Sequence, residues 1–385
     1  MVEMLPYKVP FVNYPLQYSL IKKEIDTKIQ MLLSKGDLYL REDVIKFERD
    51  LASFVGAKYG ISTNSCTDSL ILSLYALGIV QGDEVITVGH TYVATIASIV
   101  LNRAKPILID VGDDFNMNTD LLQGAITPRT KAIIPVHLNG RCCDMARIME
   151  IAEERNLAVI EDAAQAIGAK FNGKMAGSFG TTGCFSFYPA KVLSCYGDGG
   201  FICANNEQLA EKLYLLRDNG EKAKYLMRSP EEARDKIIYL FGFNSVLDNI
   251  QAGVLNIKLK YLPNYIERRR EIAKLYNEQL SGFTDLKLPP PPSMSTPYYD
   301  VFQNYVIRTE RRDDLVQFLE ANGIETLVSW RTPNHLQKFL GLSNFRLPIT
   351  ERISREVISL PMYPELTDEQ VAYVADTISR FFKTT

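Results

Sequence analysis

Apolar residues recur at helical spacing near the start of the chain, then gather into short continuous runs, then return to helical spacing. Leu16 to Leu33 and Glu42 to Phe54 predict two helices, the second with Val44, Ile45, Phe47 and Leu51 on its apolar side. Ser62-Thr-Asn-Ser-Cys-Thr67 predicts a small polar turn leading into a helix from Asp68 to Leu77. Four β-branched runs follow: Val85 to Val88, Pro106 to Asp110, Ala132 to Val136 and Ala158 to Ile160. Helical stretches separate them, at Tyr92 to Leu101, Thr119 to Ala125 and Met145 to Arg155. Strands fed by intervening helices argue a largely parallel sheet covered on both faces, an α/β architecture. Ile202 to Asn205 and the helix Glu207 to Arg217 close this region. Helices from Asp248 to Tyr261 and Pro263 to Leu280 then lead away from the sheet. After the stiff run Pro289-Pro-Pro-Pro292, a strand from Tyr299 to Arg308 and helices from Arg311 to Asn322 and Asp368 to Phe382 suggest a smaller α/β unit.

Length sharpens this picture, because 385 residues exceed what one core usually holds. The expected division is a large domain over 1–250 and a small one over 251–385. A net charge of -3 gives no electrostatic reason to bind nucleic acid or an anionic membrane. The N-terminal residues lack the basic and apolar regions of a signal peptide, and no apolar run is long enough to span a bilayer. Six cysteines without CxxC spacing and three scattered histidines suggest free thiols in a cytoplasmic protein and no metal site.

The chemistry concentrates around Lys191. It follows the apolar run Cys184-Phe-Ser-Phe-Tyr-Pro189 and precedes a loop containing Gly197, Gly199 and Gly200. A desolvated amine has a lowered pKa and can attack an aldehyde. Upstream, Ala158-Val-Ile-Glu-Asp162 places a carboxylate at the end of a strand, where ligands of parallel sheets gather. Lysine and aspartate together suit pyridoxal 5'-phosphate (PLP), whose ring nitrogen needs an acidic partner. Asp162 would equally serve as an N-cap. Gln165 could donate to the cofactor's phenolic oxygen. Asn64-Ser-Cys66-Thr67, opening a helix, offers phosphate the backbone N–H groups it needs, with a hydroxyl from Ser186. Without a ligand the same residues make a capped turn. Tyr92 could stack on the ring or fill the core.

With these residues in place, the chain resembles the DegT/StrS family of PLP-dependent nucleotide-sugar aminotransferases over nearly its whole length. The stretches Glu161-Asp-Ala-Ala-Gln-Ala166 and Phe185-Ser-Phe-Tyr-Pro189 through Gly200 carry most of it, with Gly82-Asp-Glu-Val85, Val136-His-Leu138, Gly242-Phe-Asn244 and Ser359-Leu-Pro361 in support. The resemblance implies the type I PLP fold, with a mostly parallel seven-stranded sheet, a smaller C-terminal α/β domain and a homodimer sharing its sites at the interface. It implies that Lys191 bonds the cofactor and moves the substrate proton. Asp162, Gln165 and Tyr92 would hold the ring, and Cys66, Thr67 and Ser186 the phosphate. Asn244 would reach the neighbouring subunit's cofactor. Tyr188, Arg217, Lys224, Tyr225 and His335 are the candidate substrate residues, the middle three for a nucleotide diphosphate.

The implied reaction transfers an amino group from L-glutamate to a keto sugar linked to a nucleotide such as dTDP, for lipopolysaccharide, other glycans or antibiotics. Gly-Asp-Gly-Gly after the lysine resembles enzymes acting at C3; a 4-keto sugar is the alternative. A PLP-dependent sugar dehydratase would have lost the lysine, and a non-catalytic regulator would leave the lysine, aspartate and glutamine idle. A simple amino-acid transaminase would want an arginine for the substrate carboxylate, for which Arg331 is a candidate. Val246, residues 228–238, Ser329-Trp330-Arg331 and Cys66 depart from the family pattern.

Overall fold

The computed structural model describes residues 7–223, 237–293 and 295–383. Two long helices open it, α1 (Tyr14–Lys35) and α2 (Glu42–Val55), and each stops at a glycine in the left-handed region, Gly36 at φ +70° and Gly56 at φ +82°. Strands β1 (Tyr59–Thr63), β2 (Glu84–Val88), β3 (Lys105–Ile109), β4 (Thr130–Ile133) and β5 (Ala158–Asp162) follow. Between them lie helices α3 (Cys66–Ala76), α4 (Val93–Leu101), the short α5 (Leu122–Ala125) and α6 (Met145–Arg155). A small hairpin, β6 (Lys170–Phe171) and β7 (Lys174–Met175), precedes β8 (Thr182–Ser186), β9 (Gly200–Ala204) and α7 (Glu207–Arg217).

The sheet has seven strands in the order β1-β9-β8-β5-β4-β2-β3. Only β9 runs against its neighbours, pairing antiparallel with β1 and β8. One face packs Ile86, Ile133, Phe185 and Phe201 against Val44, Phe47 and Leu51 of α2. The other packs Val85, Ala132, Ile160 and Cys184 against Leu70 and Leu74 of α3. Apolar cover on both faces is why the central strands read as unbroken apolar runs. All the strands except β9 therefore end at one edge, which collects Gly89 to Tyr92, Val136, Asp162, Ser186 and the start of α3.

Helices α8 (Asn249–Lys258) and α9 (Leu262–Leu280) lead out of this region, and α8 and the start of α9 still pack into the large core through Ala252, Leu255, Leu262 and Ile266. The second half of α9 enters a separate core with Ile272, Tyr276 and Leu280. Around it lie β11 (Tyr305–Arg308), α10 (Arg312–Ala321), β12 (Val357–Leu360) and α12 (Asp368–Lys383), whereas β10 (Tyr298–Tyr299) and α11 (Pro348–Glu356) pack against the large core. Val9 is buried in this second core, its N–H bonded to Gly323 O at 3.0 Å.

Two expectations need correction. Ser62 and Thr63 lie in β1 rather than in a turn, and both are fully buried. Their polarity hides the strand, but Glu48 accepts from the Ser62 backbone and hydroxyl, and Thr63 bonds Ser69 at 2.7 Å. The strand expected from Tyr299 to Arg308 is two strands in different sheets, β10 beside β6 and β11 beside β12. Phe302, at φ +50°, turns the chain between them.

Candidate active site

A cavity of about 580 Å³ opens at the collecting edge, within the usual range of small-molecule sites. Cys66, Thr67, Tyr92, Asp162, Gln165, Ser186, Tyr188 and Lys191 all line it. The structure thus brings together eight of the sequence candidates, from four separate segments.

Lys191 lies in the turn after β8, its N–H bonded to Tyr188 O at 2.8 Å. Burial pushes its ammonium below the usual 10.5, against the opposing pull of Cys66 and Asp162. Asp162 ends β5 and is 5% exposed. Burial raises its carboxyl above 3.8, although Thr95 Oγ1 donates to Oδ2 at 2.7 Å and the Ala164 N–H to Oδ1 at 3.2 Å. A carboxyl held in a dry site with few donors can still meet a cationic ring nitrogen. Gln165 is oriented from outside, because its Oε1 accepts the Asn139 N–H at 2.9 Å. Its amide N–H groups are thereby left as the donors toward the cavity.

The α3 N-terminus supplies free backbone N–H groups at the cavity wall. Ser65 caps it, accepting from Asp68 N at 3.1 Å, which leaves Cys66 and Thr67 at the open end. Burial drives the Cys66 thiol well above 9, so it carries no charge to repel a phosphate. Gly200 lets β9 pass this turn closely, since a Cβ there would lie 2.2 Å from the Ser65 carbonyl carbon. Tyr92, 62% exposed, caps α4 at the cavity mouth, and Tyr188 is 54% exposed beside it. Amine, carboxyl, carboxamide donor and helix N-terminus with hydroxyls answer the aldehyde, ring nitrogen, phenolic oxygen and phosphate of PLP. The residues fit the cofactor.

Other candidates fall elsewhere. Arg217 is fully buried and does not line the cavity; its guanidinium pairs with Glu48 and donates to Ser62 O at 2.9 Å, tying α7 to α2 and β1. A side chain enclosed in this way is a structural tie, which corrects its expected role at the nucleotide. His335 is also buried outside the cavity, with Nε2 3.2 Å from Glu351. Its neighbour Asn334 donates to Thr91 O at 2.7 Å, so this segment buttresses the turn before Tyr92. Asn244 is exposed and does not line this cavity. Lys224, Tyr225 and most of 228–238 lie outside the described residues.

Sequence reasoning missed Thr95, Phe11, Gln303, Asn304 and Leu327, which also line the cavity. Thr95 alone had a local signal, standing one helical turn after Tyr92. Ser329 and Trp330 form part of the wall, and Trp330 sits at φ +51° with its ring edge-on to His90 at 4.9 Å. Burial drives His90 down to about 4, so it meets that ring uncharged. Arg331 points away and pairs with Asp313 at 2.6 Å.

A mostly parallel sheet carrying this lysine and carboxyl at its C-terminal edge defines the class of PLP-dependent enzymes. The chain belongs to the DegT/DnrJ/EryC1/StrS aminotransferase family, whose model matches residues 19–379. It is 40% identical to a pleiotropic regulatory protein of Geobacillus stearothermophilus, covering 97% of this chain and 99% of that one. It is 39% identical to a UDP-N-acetyl-3-dehydro-alpha-D-glucosamine 3-aminotransferase of Acidithiobacillus ferrooxidans, over 97% of each chain. Among solved structures it matches DesV of Streptomyces venezuelae in complex with a ketimine intermediate, at 35% identity and TM-score 0.91, over 98% of this chain and 99% of DesV. No helix among the described residues is long and apolar enough to cross a membrane.

Proposed function

We propose that the protein moves an amino group from L-glutamate to the C3 keto group of a nucleotide-linked sugar. The observation that carries this reading is the half-dry Lys191 amine in one cavity with Asp162, Gln165 and the α3 N-terminus. When bound, PLP supplies an aldehyde that captures amines and a ring that stores the electrons of a broken Cα–H bond. Lys191 would provide the amine that bonds the cofactor, then carry the proton to and from the substrate carbon. Asp162 would keep the ring nitrogen protonated. Gln165 would donate to the phenolic oxygen, Tyr92 would cover the ring, and the Cys66 and Thr67 N–H groups with Ser186 would hold the phosphate. Tyr188, at the cavity mouth, would meet the sugar.

Attack at C3 is favoured by Asp198 and Gly199, which follow the lysine and line the same cavity, and by the 3-aminotransferase activity of the 39% identical relative. The regulatory name of the 40% relative raises a second reading, but a regulator leaves Lys191, Asp162 and Gln165 without a task. The protein is taken to act as a homodimer in the cytoplasm, with exposed Asn244 reaching the partner's cofactor. Six free, buried cysteines suit a reducing compartment. The division into domains over 1–250 and 251–385 belongs to this reading, with α9 joining the two cores.

The protein loaded with cofactor should be yellow, and Lys191→Ala should remove the visible band. L-glutamate alone should convert that band to the pyridoxamine form; no change would eliminate it as donor. Keto sugars carrying dTDP, UDP and GDP then test the acceptor, and turnover of 4-keto but not 3-keto sugars would overturn the C3 assignment.

A further inference from the structure

Lys191 sits in an irregular turn, so neither helix nor strand fixes where its side chain points. Besides the local Lys191 N–H to Tyr188 O bond, the peptide groups on either side of it are held by one distant residue. Gln303 Nε2 donates to Ala190 O at 2.7 Å, and Gln303 Oε1 accepts the Val192 N–H at 2.9 Å. The carboxamide therefore bridges the lysine, one end on each neighbour, in the only flip that satisfies both bonds. Gln303 is 6% exposed and comes from the stretch joining β10 to β11, more than a hundred residues along the chain.

That stretch is itself firmly held. The buried Arg269 of α9 donates to Phe302 O at 3.1 Å, Gln303 O at 3.2 Å and Met362 O at 2.9 Å. Val301 N–H donates to Gly140 O at 2.9 Å, and a Cβ on Gly140 would lie 2.6 Å from Gln303 N. The next residue, Asn304, donates to Asn139 Oδ1 at 3.3 Å, and the Asn139 N–H holds Gln165. One short segment thus reaches both the lysine turn and the carboxamide at the ring.

We propose that Gln303 is a positioning residue for Lys191, aiming its amine into the cavity by bridging the peptide groups of Ala190 and Val192. This rests on Lys191 being the residue that bonds the cofactor. A small misalignment of a reacting group costs far more in rate than in binding. Loss of the bridge should therefore appear in the reactivity of the amine first.

The test compares the unsubstituted protein with Gln303→Met, which keeps length but loses both bonds, and Gln303→Glu, which sets a carboxylate oxygen against Ala190 O. Cofactor-free protein is mixed with PLP and quenched with borohydride at intervals. The amine and aldehyde form a C=N bond with loss of water, the ammonium proton having gone to solvent, and hydride reduces that bond to a stable amine located by peptide mass. Gln303→Met should slow adduct formation at Lys191 and lower kcat by about 10- to 100-fold, with KM for L-glutamate within about 3-fold. Gln303→Glu should fold and should move the pH midpoint of the visible band upward, since a carboxylate beside the lysine favours the protonated form. Ile307→Val, at a buried position of β11 in the second core, serves as the control for general loosening. Adduct formation and kcat in Gln303→Met at the unsubstituted rate, or slowed no more than in Ile307→Val, would overturn the proposal alone. Absence of any Lys191 adduct in the unsubstituted protein would overturn the functional reading and this proposal with it.

Discussion

Glu161 and Asp162 are consecutive acids at the end of β5, and the strand sends them to opposite faces of the sheet. Behind the sheet, Glu161 is completely buried and saturated with donors. It accepts from the N–H groups of Gly177 at 2.7 Å, Phe179 at 2.7 Å and Gly180 at 2.6 Å. His137 Nε2 adds a fourth contact at 2.8 Å, and its proton sits there because Nδ1 already accepts the Cys143 N–H at 3.0 Å. At the cavity, Asp162 has one hydroxyl and one backbone donor. The same chemical group is satisfied on one face and left wanting on the other. The first holds the chain together; the second, with fewer donors, is the one free to meet a cationic ring nitrogen in the cavity.

Substitution should separate the two roles. Asp162→Asn should lower turnover by roughly 10³-fold, about 4 kcal/mol of barrier, because the ring nitrogen loses its acidic partner. The same change should raise the melting temperature of the cofactor-free protein near pH 7. A carboxyl whose pKa is raised on folding takes stability away as pH climbs above its unfolded value of 3.8. The gain should therefore shrink as pH falls toward 3.8, and a gain that grew in acid would contradict it. Glu161→Gln should behave in the opposite way. It puts an NH2 against backbone donors and should cost about 3 kcal/mol in denaturant unfolding, while the folded fraction keeps its activity to within about 3-fold. If the two substitutions lowered turnover equally, the division of labour would fail. Least affected should be Arg331→Ala, which breaks the Arg331–Asp313 pair. Its side chains are 53% and 60% exposed, so the loss should be at most about 1 kcal/mol, read in the same titration.

Much of the fold was legible because β2 to β5 are buried on both faces, which writes them as apolar runs between helices. β1 was not, because Ser62 and Thr63 look like turn residues until Glu48 and Ser69 satisfy them. The break at Phe302 was hidden for a similar reason: contacts with Gly140 and Arg269 impose it, and neither lies nearby in the chain. In the site, Lys191, Asp162 and Gln165 stood in short segments whose spacing carries their chemistry. Arg217 misled because a basic residue ending a helix suits a nucleotide as well as it suits a buried glutamate, and only the packing of α2 against α7 and β1 distinguishes them. Gln303 left no local mark.

The amino-acid order alone determined the alternation of strand and helix and the local segments that bear the amine, the acid and the helix opening. Local rules suffice there, because burial on both faces and cap geometry act over a few residues. Which of two adjacent acids faces the cavity, which arginine is sealed into the core and which glutamine braces the lysine were decided only by the tertiary structure. Those outcomes depend on desolvation and on hydrogen bonds between segments far apart along the chain, which have no energy until the chain has folded.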